Sequence, residues 1–221
     1  MRKGRLIVIE GLDGSGKATQ AKLLTEALKA AGVNVRAVSF PDYQSDSNAL
    51  VKMYLAGEFG KKPEDVNAYA ASSFYAVDRY ASYKRDWGAI YENGGTIVAD
   101  RYATSNAVHQ CSKLPRDEWD EYLDWLFRYE YDLLGIPAPD LVIYLRVDPD
   151  VSQRLMRARY HGDEAKRDIH ERDLDYQRRS REAAEYCAKR FGWRDVACAR
   201  DGEMRSIEDI HAEVMDIVKS L

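Results

Sequence analysis

Cysteine is scarce in this 221-residue chain: Cys111, Cys187 and Cys198 are the three, widely spaced and without a Cys-x-x-Cys pair. That excludes a disulfide framework or a cysteine zinc site and suits reduced thiols in a cytosol. Histidine is sparse too, and His109, His161, His170 and His211 show no metal-ligand spacing. No apolar run approaches the ~20 residues that a helix needs to span a bilayer, so no membrane partner is expected. A strand begins within a few residues of Met1, which leaves no room for a signal peptide; a cytoplasmic location is expected. The chain also lacks a large excess of one charge. Its net charge of −4 offers no general attraction to a nucleic acid polymer, so any anion must be bound by local groups. Repeats, low-complexity tracts and linkers are missing. What remains is ordinary globular composition, 45% hydrophobic and 32% charged, in a length that one core can serve. A single domain over 1–221 is expected.

The apolar run Leu6-Ile7-Val8-Ile9 does not alternate, which predicts a fully buried strand. Beyond it Ala21, Leu24 and Leu28 recur at helical spacing until Gly32, a suitable helix-ending glycine. Between strand and helix lies Gly11-Leu12-Asp13-Gly14-Ser15-Gly16-Lys17-Ala18-Thr19. This Gly-x-x-x-x-Gly-Lys spacing predicts a loop whose amides wrap nucleotide phosphates at a helix N-terminus. Lys17 would reach the β- and γ-phosphates. The full pattern has Ser or Thr after the lysine, placing a hydroxyl on magnesium; here Ala18 stands there. A glycine-rich turn that binds nothing would leave the lysine unexplained.

Further strands are predicted at 33–40, 96–99, 141–147 and 194–199. Helical patterns cover 45–57, 63–93, 103–111, 116–134, 150–160, 169–191 and 206–221. Strands alternating with helices predict an α/β fold with a central parallel sheet of about five strands and helices on both faces. Ligands in such sheets sit at the carboxyl ends of the strands, where Phe40-Pro41 and Asp100-Arg101 emerge beside the phosphate loop. Asp100 could hold magnesium or cap the next helix. Arg101 suits a bidentate grip on a second phosphate, or pairing with a neighbouring acid. Tyr75 and Arg79 share one helix face and could stack a base and bond its edge, or belong to the core. Ser105, Asn106 and His109 follow within one turn, either facing a base or lying in solvent. From Arg154 to Arg181 the chain carries nine basic and six acidic residues, read equally as a solvated face or as a lid over phosphates.

In their order these motifs resemble thymidylate kinases, nearly end to end: the glycine loop with Thr19-Gln20, Phe40-Pro41, Tyr75-x-x-x-Arg79, and Asp100-Arg101-Tyr102 with Ser105-Asn106. The resemblance implies a P-loop NTPase three-layer sandwich that transfers phosphoryl from MgATP to dTMP. It implies contacts of Asp13 with the deoxyribose or acceptor phosphate, of Lys17 with the donor, and of Arg101 with the dTMP phosphate. Arg79 and Asn106 would address the thymine edge, with Tyr75 on the ring; Phe40, Pro41, Ser105, His109 and Glu171 complete the acceptor site. His109 stands where the family often has a tyrosine thought to exclude a ribose 2′-hydroxyl. With no arginine in the phosphate loop, the lid at about 157–170 would supply one, from Arg154, Arg157, Arg159 or Arg167. A homodimer is implied as well; the aromatic-rich segments around 69–91 and 119–131 could serve it or equally belong to the core. The competing expectations are a kinase of another nucleoside monophosphate or of a deoxynucleoside, and a nucleotide-binding switch without catalysis.

Overall fold

The structure, a computed structural model, describes residues 3–148, 151–152, 154 and 174–221. Five parallel strands pair in the order β2-β3-β1-β4-β5: β1 (Arg5–Gly11), β2 (Val35–Ser39), β3 (Thr96–Asp100), β4 (Leu141–Arg146) and β5 (Arg194–Ala197). The central β1 explains its own sequence. Leu6 and Val8 pack into one cluster with Ala107, Tyr122 and Ala183, while Ile7 and Ile9 pack into another with Leu24, Val196 and Val214. Over Leu6 to Ile9 the strand is covered on both faces and offers no solvated position, hence no alternation.

Helices α1 (Lys17–Ala30) and α8 (Ile207–Lys219) cover one face. On the other lie α5 (Ala103–Cys111), α6 (Trp119–Phe127) and α7 (Leu174–Phe191), with Trp87 and Tyr91 from the helical run that precedes β3. Three layers result. The predicted helix 63–93 begins with a 3-10 turn (Pro63–Asp65) and restarts at Asn67, whose side chain accepts from Ala70 N. It then runs as α3 (Ala68–Ser82), a π turn (Tyr83–Trp87) and α4 (Gly88–Glu92). The 116–134 prediction resolves likewise into a 3-10 turn (Arg116–Glu118), α6 and a π turn (Arg128–Leu133). Helix 45–57 is shorter than predicted, a 3-10 turn (Asp46–Asn48) leading into α2 (Ala49–Leu55).

Two differences at strand ends matter for the cavity. Strand β2 stops at Ser39, although Phe40 N still donates to Asp100 O (3.0 Å), and the Phe40–Pro41 bond is cis. The predicted strand 194–199 ends at Ala197, and a hairpin follows: β6 (Ala199–Arg200) and β7 (Glu203–Met204). Its turn residues Asp201 and Gly202 both have positive φ, 53° and 78°, as a two-residue type I′ turn demands. Of the predicted helix 150–160, Val151, Ser152 and Arg154 are described and helical. The rest of it, the segment 157–170 and the start of the 169–191 helix lie outside the described residues.

Candidate active site

The carboxyl ends of β1, β2 and β3 open into one cavity of about 1070 Å³, lined by Asp13 to Gln20, Phe40, Pro41, Tyr75, Arg79, Asp100 and Arg101, among others. Its floor is the loop between β1 and α1. Gly11 admits no side chain: a Cβ there would lie 2.6 Å from Ser15 Oγ and 2.7 Å from Leu145 O. Gly16 caps α1 in the left-handed region at φ 87°, with no side chain accepting from the first turn and no acidic residue within that turn. The orphan N–H groups and the positive end of the helix are thus left for an external anion.

Lys17 is buried, donates to Leu12 O (2.8 Å) and lies 3.8 Å from Asp13 Oδ1. Burial pushes its ammonium down to about 8, and the nearby Arg101 adds to that shift. Arg101 has its own backbone in the left-handed region at φ 66°, a conformation costing on the order of 1–3 kcal/mol and tolerated where the surroundings fix it. Here the fixing is dense. Its amide donates to Ile9 O, and its guanidinium reaches Asp13 Oδ1, His109 Nε2 (3.2 Å), Ser105 Oγ (3.5 Å) and Glu10 (3.9 Å). Burial pulls the Arg101 pKa down, but Asp13, Glu10 and Asp100 outweigh it and raise it. Because arginine donates, His109 accepts through Nε2 and is neutral; burial first and Arg101 second push it down to about 3.

At the other end of the cavity Arg79 is 2% exposed and makes a bidentate pair with the fully buried Glu130, by Nε to Oε2 (2.6 Å) and Nη2 to Oε1. Burial lowers the Arg79 pKa, and Glu130 more than compensates, raising it. Asn106 donates to Ser72 O and Glu130 Oε1, each at 3.2 Å. Tyr75 lies edge-on to Tyr54 at 6.4 Å and lines the cavity, whereas Phe74 packs against Tyr54 and Phe59.

The structure thus brings Asp13 to Thr19, Phe40, Pro41, Tyr75, Arg79, Asp100, Arg101, Ser105, Asn106 and His109 around one cavity. Arg154 is directed elsewhere, to Gly202 O and Glu203 of the β6–β7 hairpin. Arg157, Arg159, Arg167 and Glu171 lie outside the described residues. Sequence reasoning passed over Glu10, which is 1% exposed and accepts from Thr104 Oγ1 (2.8 Å) and Ser105 Oγ, tying α5 to the end of β1. A carboxylate closing a buried strand just before a phosphate loop was the available signal. It also passed over Glu130, hidden in an aromatic-rich helix. Asp78, equally unheralded, accepts from Asp42 N, Ser47 Oγ and Asn48 Nδ2 and so fastens the chain after Pro41 to α3.

A parallel sheet of this order, a phosphate loop opening α1 and an arginine at the end of the neighbouring strand β3 define the P-loop phosphotransferase class. The family model "Thymidylate kinase" matches residues 9–214. The thymidylate kinase of Mycobacterium tuberculosis is 33% identical over 199 residues, which are 89% of this chain and 92% of that one. That of Schizosaccharomyces pombe is 31% identical over 99% and 93% of the two chains. The solved thymidylate kinase of Candida albicans shares the fold, with TM-score 0.70, 22% identity and coverage of 99% and 92%. The chain belongs to the thymidylate kinase family. Its reaction is phosphoryl transfer from ATP to dTMP, giving dTDP and ADP, and the alternatives weighed from sequence are not favoured.

Proposed function

We propose that this chain phosphorylates dTMP with Lys17 and the amides of 12–19 on the donor phosphates and Arg101 on the acceptor phosphate. The observation that carries this assignment is that Lys17 and Arg101 converge on the same Asp13 oxygen from two sides. Two cations that close can bracket a phosphoryl group in transit. The loose transition state asks for positioning and charge neutralisation, and the acceptor phosphate is already an anionic nucleophile, so no general base is needed. Asp13 gives up Arg101 as the phosphate arrives. Tyr75, Arg79, Asn106 and His109 enclose the base and sugar.

Magnesium accompanies the ATP, and the residues present fit it. Asp100 Oδ1 and Ser15 Oγ are buried without a hydrogen-bond partner among the described residues, and both residues line the cavity. No group of three His, Cys, Asp or Glu among the described residues could hold a metal by itself. Magnesium characteristically keeps several waters and leans on one or two carboxylates and substrate phosphates. Asp100 would hold it, directly or through water, in place of the hydroxyl that Ala18 lacks. When bound, the ion neutralises phosphate charge.

Three further readings accompany this one. The chain is a single P-loop domain in which 157–170 acts as a lid, with Arg157, Arg159 or Arg167 assisting transfer and Glu171 facing the nucleotide. It forms a homodimer, supported by Tyr69, Val77 and Tyr80 exposed within one arc of α3. It works in the cytoplasm, supported by three free buried thiols.

The test is ADP release from MgATP with dTMP, dUMP and the ribose form of TMP, in wild type and Arg101→Ala. Release should depend on dTMP, and the substitution should lower kcat by ~10²–10³, as removal of one transition-state donor does. A folded Arg101→Ala variant with near-normal turnover removes Arg101 from its role. No dTMP-dependent release from the wild type overturns the whole reading.

A further inference from the structure

Asp78 lies on α3 between two residues that line the cavity, Tyr75 one turn before it and Arg79 next to it, and is itself 1% exposed. Three donors converge on its carboxylate. Asp42 N reaches Oδ2 at 2.9 Å, Asn48 Nδ2 reaches the same oxygen at 3.0 Å, and Ser47 Oγ reaches Oδ1 at 2.7 Å. All three come from the segment between β2 and α2. Its early residues Pro41 and Tyr43 line the cavity, Tyr43 close enough to Arg101 to bear on its charge. Bonds inside the segment, Ser45 N to Asp42 O (3.0 Å) and Asn48 N to Ser45 O (3.2 Å), shape its turns but do not set its place against α3. No cation pairs with Asp78 among the described residues, and the neighbouring Arg79 is committed to Glu130.

A buried carboxylate held by neutral donors carries a desolvation cost that an asparagine of the same size would avoid. What the carboxylate offers is acceptance at every lone pair. An amide in its place would turn an N–H toward at least one of the three donors. The charge is there for geometry: it ties residue 42 and residues 47–48, two places on one loop, to a single point on α3. We infer that Asp78 is a positioning residue that sets the spacing between the loop wall at Pro41–Tyr43 and the α3 wall at Tyr75 and Arg79, and so the phosphate-to-base length that both walls grip at once. The inference rests on the dTMP reading above. Two grips on one ligand reinforce each other only when their separation matches its length. Asp78 itself touches neither end of the nucleotide. With the tie loosened, each wall would still hold its own half, and the joint gain would be lost.

Asp78→Asn tests this, since it keeps the size and spoils the acceptor-only pattern. Thymidine, which has the base and sugar without the phosphate, and dTMP are each titrated by calorimetry into wild type and variant. Thymidine should bind both proteins within about twofold, while the Kd for dTMP rises roughly tenfold in the variant. The kcat/KM for dTMP should fall roughly 10- to 100-fold, as a misplacement of about 1 Å gives, with KM for MgATP within about twofold of wild type. A folded variant that handles dTMP like wild type overturns the inference. So does one that loses thymidine and dTMP alike, or MgATP along with them, because Asp78 would then serve only the fold. If Asp78→Asn does not fold, Ser47→Ala, which withdraws one donor from a half-buried position, is measured in the same way. The expected rise in Kd for dTMP is then about threefold, again with thymidine unchanged. Failure of the wild type to bind dTMP would strike the dTMP reading instead.

Discussion

His109 accepts from Arg101 through Nε2, and a protonated ring has no lone pair to offer there. With its pKa pushed down to about 3 in the fold against about 6.5 unfolded, the unfolded chain binds the extra proton first. The sign follows directly: between pH 6.5 and 3 the unfolded state holds more protons, so stability falls as pH falls. The contribution reaches on the order of 2 kcal/mol at pH 5. His109→Phe should flatten the acid limb of the melting curve in that window, and an unchanged acid limb would show that His109 does not titrate as described. Lys17 runs over a different range. Its folded pKa near 8 lies below the unfolded 10.5, so its burial cost is full below pH 8 and is relieved as pH rises toward 10.5. At this scale the sequence was legible where chemistry is local. Asp13, Lys17 and Arg101 belong to motifs read along the chain. The partners that hold the site lie far off, Glu10 94 residues from Thr104 and Glu130 51 residues from Arg79, and no spacing rule reaches so far.

Elements carry the site in ways that periodicity does not encode. The π turn Arg128–Leu133 after α6 contains Glu130, which accepts from Arg79 on α3 and Asn106 on α5. One buried carboxylate therefore fastens three segments. Glu130→Ala should destabilise the protein by about 3–5 kcal/mol, because it strands a guanidinium that is 2% exposed. Denaturant unfolding measures this, and a loss below about 1 kcal/mol would mean that Arg79 finds water or another acceptor. A hydrophobic stripe predicts that 116–134 is helical, but a widened turn buries a charge without disturbing that stripe. The β6–β7 hairpin was legible in principle, since Asp201-Gly202 is a type I′ signature. The predicted strand stops at 199 and the hairpin beyond it carries no prediction, because its arms are two residues each.

For the whole molecule, alternating strands and helices made the parallel sheet legible before any contact was known. Strand order was not, because pairing is set by which faces bury together rather than by sequence neighbours. The exposed side of α3 raises the question of assembly at this scale. Tyr69, Val77 and Tyr80 are 39%, 41% and 38% exposed on one arc. For the homodimer proposed above, a double substitution, Val77→Arg with Tyr80→Glu, should give a sedimenting monomer and leave the melting temperature within a few degrees. A dimer that survives it does not use this face.

The charges at the strand ends have a consequence for electroneutrality. Lys17 and Arg101 stand against Glu10, Asp13 and Asp100, two cations facing three carboxylates. Before any ligand enters, these five groups already sum to a net negative charge. Two polyanionic nucleotides cannot be drawn into such a pocket by a surplus of fixed positive charge, because these groups have none. On the assignment proposed above they would be admitted by exchange, each phosphate taking a cation away from Asp13, with counter-charge brought along on the donor.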